Sequence, residues 1–151
     1  MNEEFDVQVK QIEELLRHVA FIIKKRGRDI LSDFGITNPQ FNALLVLDSH
    51  PDITMGELCE RLYLACSTAT DLIDRMEKNG LLERRRDPED RRVIRLRTMP
   101  KAKEVIEQVI QARRRYVKSI LTKLDEKDIE TLARSLQQLH SLMTEENLPS
   151  Q

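Results

Sequence analysis

The stretch that decides the reading runs from Ser67 to Thr98, "STATDLIDRMEKNGLLERRRDPEDRRVIRLRT". Its first half is helical. Ala69, Leu72, Ile73 and Met76 recur at three- and four-residue spacing on one side, and Ser67, Thr68, Thr70, Asp71, Asp74, Arg75 and Lys78 fall on the other. Asn79-Gly80 supplies the residue pair of a left-handed C-terminal cap. The second half changes period. "LLERRR" and "RVIRLR" are short, β-branched or alternating segments that put Ile94 and Leu96 on one face and Val93, Arg95 and Arg97 on the other, around the turn signal Asp87-Pro88-Glu89-Asp90. Seven arginines and four acidic residues fall between Leu82 and Pro100, in a chain whose formal net charge is -1.

Immediately upstream, "ITMGELCERLYL" carries Thr54-Met55-Gly56-Glu57, a capping box in which the Thr54 hydroxyl and the Glu57 carboxylate each satisfy a free backbone amide. Leu58 and Leu62 share a face, so a helix of two or three turns starts near Met55 and breaks at "YLAC" before the helix from Ser67 to Asn79. Two short helices joined tightly, the second polar outward, read as a helix-turn-helix. The competing reading is a pair of core helices in an all-α bundle. The basic hairpin that follows decides between them, because a helix-turn-helix followed by a hairpin is a winged helix.

A hairpin tip that projects arginine suits the minor groove of DNA, whose negative potential deepens where it narrows. Asp90, two residues before Arg92, is placed to hold that guanidinium in one rotamer. The alternative is a solvated, self-neutralising charge cluster. Local charge favours the first: Arg61 to Lys101 holds eleven Lys and Arg against seven Asp and Glu, a net of +4 that leaves -5 for the rest. The expected contacts to double-stranded DNA are Ser67, Thr68, Thr70, Asp71, Arg75 and Lys78 on the helix and Arg84, Arg86, Asp90, Arg91 and Arg92 on the wing.

These residues closely resemble the recognition helix and wing of the multiple antibiotic resistance regulator (MarR) family, whose recurring pattern is a helix ending in L-E-x-x-G-L-[LV]-x-R followed by D-P-x-D-R-R. The order of elements on either side is similar too, one long helix first and two last. The resemblance implies a homodimeric winged-helix transcription regulator of a bacterium or archaeon, cytoplasmic and nucleoid-associated. It implies a pseudo-palindromic operator and release by a small ligand or by thiol oxidation. By the same resemblance Asp90 and Arg92 are the paired aspartate and minor-groove arginine of the wing. One position departs from the pattern: in "TMPKAKE", Pro100 and Ala102 stand where the family usually has a glycine, at the entry to the next helix.

Outside this core the pattern is helical. From about Asp6 to Leu31, Val9, Ile12, Leu15, Leu16, Val19 and Ile23 keep the spacing of a single buried stripe on a long helix. "ITNPQFNALLVLDSHP" offers Thr37 or Asn38 as cap, Pro39 in the first turn, and Phe41, Leu44 and Leu45 as an inward face. A helix from about Lys101 to Leu124 presents a broad apolar surface. In the last helix Ile129, Leu132, Leu136, Leu139 and Met143 repeat at three, four, three, four, a heptad seam that wants a partner. These faces either pack within one chain as a monomeric bundle or interdigitate between two. The dimer is expected, since a reader of two-fold symmetric DNA gains from it, with Ile12, Leu16, Ile120, Leu132, Leu136, Leu139 and Met143 at the interface.

The fold expected is therefore mainly α with a small β-wing. Residues 1–36 contribute a dimerisation helix, 37–99 the winged helix-turn-helix, and 100–151 the C-terminal dimerisation helices. Composition agrees: 40% hydrophobic, 34% charged, four glycines and no tryptophan suit a helix-rich protein. No apolar run reaches the roughly 20 residues of a membrane span, and the acidic start "MNEEFD" lacks the order of a secretory signal. A cytoplasmic protein that does not engage membrane is expected. Cys59 and Cys66 are too few for a disulfide framework and read as buried or half-buried structural thiols; with His18, His50 and His140 they form no metal-ligand spacing. No catalytic residue, metal or cofactor is expected, because no nucleophile and base, glycine-rich phosphate loop or ligand spacing occurs. The resemblance alone implies a small amphipathic or phenolic effector; its pocket would sit between the first helix and the DNA-binding lobe, with Arg17, His18 and Phe21 as candidates by position.

Overall fold

The computed structural model describes residues 2–146, so positions 147–151 of the expected C-terminal region lie outside it. The order of elements is α1 (Glu3–Asp33), α2 (Asn38–Ser49), β1 (Ile53–Thr54), α3 (Met55–Leu62), α4 (Cys66–Lys78), β2 (Leu82–Arg86), β3 (Ile94–Thr98), α5 (Pro100–Leu121) and α6 (Glu126–Glu146). Two compact units divide at Arg113 and Arg114, inside α5. No helix among the described residues is long and apolar enough to cross a membrane.

The first unit holds the hydrophobic core. Phe41, Ala43, Leu44 and Leu47 of α2, Leu58 of α3, Ile73 and Met76 of α4, Leu81, Leu82, Leu96 and the first turns of α5 through Ala102, Ile106 and Val109 are buried together. The helices begin where the side chains can cap them. Thr37 and Gln40 form a reciprocal capping box on α2, with Pro39 in its first turn, and Thr54 and Glu57 form the expected one on α3. At the other end of α4, Gly80 takes φ +74, and the N–H of Leu81 returns to the carbonyl of Met76, a C-terminal closure that a side chain at Gly80 would strain. Pro100 is the first residue of α5, where its missing N–H costs no hydrogen bond. The departure from the family pattern at this point therefore still starts a regular helix.

The sheet has three antiparallel strands in the order β1-β3-β2. Leu82 to Arg86 pair with Thr98 to Ile94, the expected hairpin, and Ile53 and Thr54 add a short third strand opposite Leu96 and Arg95. Only Leu96 of β3 enters the core; Ile94, expected beside it, lies near the wing tip and stays exposed. Leu45 of α2 is also exposed, its inward places being taken by Ala43 and Leu47.

The largest difference from expectation concerns α1. Val9, Ile12, Leu15, Leu16, Val19 and Ile23 are all exposed in the single chain, and only Ile30 and Leu31 of this helix are buried. The period marks an apolar face correctly, but nothing in the unit covers it. The second unit shows the same feature: α6 buries no residue, and Leu132, Leu136 and Met143 are exposed while Ile129 and Leu139 are half-buried.

Candidate nucleic-acid interface

Helix α4 is anchored by Ala69, Ile73 and Met76, each wholly buried. That anchoring leaves Ser67, Thr68, Thr70, Asp71, Arg75 and Lys78 exposed. Thr70 already donates its hydroxyl to the Cys66 carbonyl at 2.7 Å, which leaves its oxygen free to accept. The turn before α4 is made by Tyr63, a non-glycine residue at φ +54. Ala65 caps α4 without a side-chain hydrogen bond.

The wing arginines divide into two groups. Arg84, Arg95 and Arg97 are committed to the protein. Arg84 of β2 donates Nη1 to Glu77 Oε1 at 3.0 Å and Nη2 to Asp74 Oδ1 at 2.5 Å. Arg95 donates Nε to Asp87 Oδ2 at 2.6 Å and Nη1 to the Asp52 carbonyl at 2.9 Å, and Arg97 donates Nε and Nη2 to Asp52 Oδ1 at 3.0 and 2.9 Å. The outer group is Arg85, Arg86, Arg91 and Arg92, all exposed. Arg85 pairs with Glu83 at 2.8 Å, and Arg86 reaches the Arg91 carbonyl at 3.4 Å.

Arg92 and Asp90 meet as the spacing predicts. The Arg92 side chain is 92% exposed, yet its Nε donates to Asp90 Oδ1 at 3.2 Å and its Nη2 to Oδ2 at 3.4 Å. The Arg92 backbone N–H also donates to Asp90 Oδ1, at 3.1 Å. A guanidinium held this way reaches solvent already oriented, which lowers the ordering cost of meeting a phosphate or a groove.

Asp52, Asp74, Glu77 and Lys101 are not among the expected DNA contacts. Asp74 and Glu77 lie one helical turn apart and share a face, a signal that was available. Asp52 had no such signal, since its partner Arg97 is 45 residues away. Lys101 donates Nζ to the Asn79 carbonyl at 2.8 Å and so closes the C-terminal end of α4.

The expected effector residues Arg17, His18 and Phe21 all lie on α1. Arg17 borders a shallow apolar groove along α1 with Phe5, Val9, Ile12, Glu13 and Leu16, and is paired with Glu13 at 3.2 Å. His18 and Phe21 lie on exposed helix surface outside that lining. Of the cysteines, Cys59 is buried as expected, whereas Cys66, in the first turn of α4, is exposed. Burial pushes the Cys59 thiol up to about 11, and a hydrogen bond with the neighbouring Cys66 thiol pushes the same way. No group of three or more His, Cys, Asp or Glu among the described residues is placed to hold a metal ion.

A tight helix pair whose second helix is polar outward, followed by a β-hairpin with an arginine-bearing tip that β1 completes to a three-stranded sheet, defines a winged helix-turn-helix regulator. Residues 36–94 match the model of the MarR family. The uncharacterized HTH-type transcriptional regulator YsmB of Bacillus subtilis (strain 168) is 46% identical over 135 residues, covering 89% of this chain and 92% of that protein. The transcriptional repressor MprA of Escherichia coli (strain K12) is 29% identical over 140 residues, covering 89% and 80%. The solved structure of a MarR family protein from Bacillus stearothermophilus superposes with a TM-score of 0.80 at 45% identity, over 95% of this chain and 99% of that one. The chain belongs to the MarR family. It stands among transcription regulators and not among enzymes.

Proposed function

We propose that the chain is a cytoplasmic, nucleoid-associated homodimer that represses transcription by reading a pseudo-palindromic operator in double-stranded DNA. In this reading α4 enters the major groove and the wing arginines enter the flanking minor groove. The observation that carries it is the Asp90–Arg92 pair, an almost fully exposed guanidinium pre-oriented at the wing tip. The outer face of α4 adds hydroxyl and charged groups suited to base edges. Repression is supported by the similarity to MprA, a transcriptional repressor by name. The dimer is supported by the uncovered apolar faces of α1 and α6, since contiguous exposed apolar surface marks interaction sites, with Ile12, Leu16, Ile120, Leu132, Leu136, Leu139 and Met143 between the copies.

Release of the operator by a small amphipathic or phenolic molecule belongs to the same reading. Family membership supports it, and Arg17 beside the apolar groove of α1 is the residue to test first, with His18 and Phe21 next. The deciding experiment is selection of bound sequences from a random duplex pool. An inverted repeat is expected, with half-sites about one helical turn apart or a multiple of it. A pool that enriches no sequence, or only a lone half-site, contradicts the proposal.

A further inference from the structure

Arg84 sits in the strand leading to the wing tip, yet its surroundings differ from those of Arg92. Glu77 takes two hydrogen bonds from this one residue: Oε2 accepts the Arg84 backbone N–H at 3.1 Å and Oε1 accepts Nη1 at 3.0 Å. Asp74 accepts Nη2 from the other prong of the fork. The side chain is 25% exposed, against 92% for Arg92. One guanidinium between two carboxylates offers no net positive charge to a phosphate, so its attraction for DNA is largely cancelled. The planar fork matches two fixed acceptors, a geometry a lysine ammonium does not reproduce.

Both carboxylates belong to α4 and the arginine to β2, an edge strand paired only with β3. The three groups therefore tie the helix expected in the major groove to the strand that carries the wing. We propose that Arg84 is a positioning residue that locks the wing to the recognition helix through Asp74 and Glu77, and does not itself contact DNA. This inference rests on the DNA-reading function above. Its physical content is that two grooves are read at a fixed separation, which matters for specific sequence and little for random duplex.

The test compares Arg84→Ala, Glu77→Gln and Asp74→Asn with the unaltered chain. Fluorescence anisotropy is read on a duplex that the unaltered chain has selected and on a scrambled one, across a sodium chloride series, with circular dichroism showing that each variant is folded at the assay temperature. Each substitution is expected to weaken the selected duplex about tenfold, leaving the scrambled duplex and the salt slope nearly unchanged. The Arg84→Ala/Glu77→Gln double variant is expected to be no weaker than the poorer single one, since both break the same link.

The sign for the carboxylates separates this from electrostatics, which predicts tighter binding when a negative charge leaves. Should Arg84→Ala unfold, Arg84→Lys keeps the charge and loses the fork; a large loss supports positioning, and binding like the unaltered chain overturns it. The inference is also overturned if Arg84→Ala lowers the salt slope by about one, if the carboxylate variants bind more tightly, or if all variants bind normally. A chain that selects no duplex at all defeats the DNA reading and this inference with it.

Discussion

Asp87 and Arg95 lock the base of the wing to its own turn: Oδ2 of Asp87 accepts Nε of Arg95 at 2.6 Å, while Oδ1 accepts the backbone N–H groups of Glu89 and Asp90 at 2.8 and 3.1 Å. One carboxylate thus shapes the turn that presents Asp90 and also holds the strand that returns from it. The arginine-rich run is in part a scaffold for the few arginines left outside.

The Arg95 guanidinium, followed by the amides of Glu89 and Asp90, holds the Asp87 carboxyl below the usual aspartate value of roughly 3.9. A carboxyl lowered by folding contributes stability above its unfolded value and loses it as pH falls through the folded one. The wing turn should therefore persist down through pH ~4 and loosen only below it. Proton NMR of the Arg95 side-chain N–H checks this: the resonance is expected to remain protected from exchange to that point in the unaltered chain, and to exchange fast at neutral pH in Asp87→Asn. Loss of protection near pH 6 would contradict the account.

Cys59, pushed up to about 11 by burial, is almost entirely thiol at neutral pH, whereas Cys66 is open to reagent. Iodoacetamide at pH ~7.5 should label Cys66 in the folded chain and Cys59 only after denaturation, as peptide mass mapping would show. Equal labelling of both would mean that the turn between α3 and α4 opens readily.

What could be read from sequence was local. The cap at Thr37, the capping box at Thr54, the closing Gly80 and the face formed by Ala69, Ile73 and Met76 each depend on residues within one or two turns, and all appear in the structure. Asp90 and Arg92, two residues apart, were legible for the same reason. Strand β1 has two residues and no period to detect; it exists because Ile53 and Thr54 find β3. The partners of Arg97 and Arg84 lie elsewhere in the chain, so counting arginines overstated how many are free. On α1 the period named the apolar face but not its cover, and Ile12 stays 55% exposed.

If a second copy covers these faces, a charge placed there is buried without a partner and costs about 3–5 kcal/mol. Ile12→Asp in α1 and Leu136→Asp in α6 should each shift sedimentation from a dimer toward a monomer at micromolar concentration, and weaken operator binding as a consequence. An unaltered chain that sediments as a monomer, or variants that stay fully dimeric, would refute the interface.

The wing tip presents one pre-oriented arginine, Arg92, which in the proposed function enters the minor groove. Arg92→Ala should weaken operator binding by about 1–3 kcal/mol, most where the flanking sequence narrows the groove. Asp90→Ala is the more direct measurement, because the two accounts of the wing predict opposite signs. Fluorescence anisotropy on one selected operator and one scrambled duplex, across a salt series, reads it. Weaker operator binding by Asp90→Ala, despite the loss of a negative charge from the proposed DNA-facing surface, is the result expected if Asp90 orients Arg92. Tighter binding to both duplexes would show instead that the wing is a solvated charge cluster in which Asp90 does not orient Arg92 for DNA.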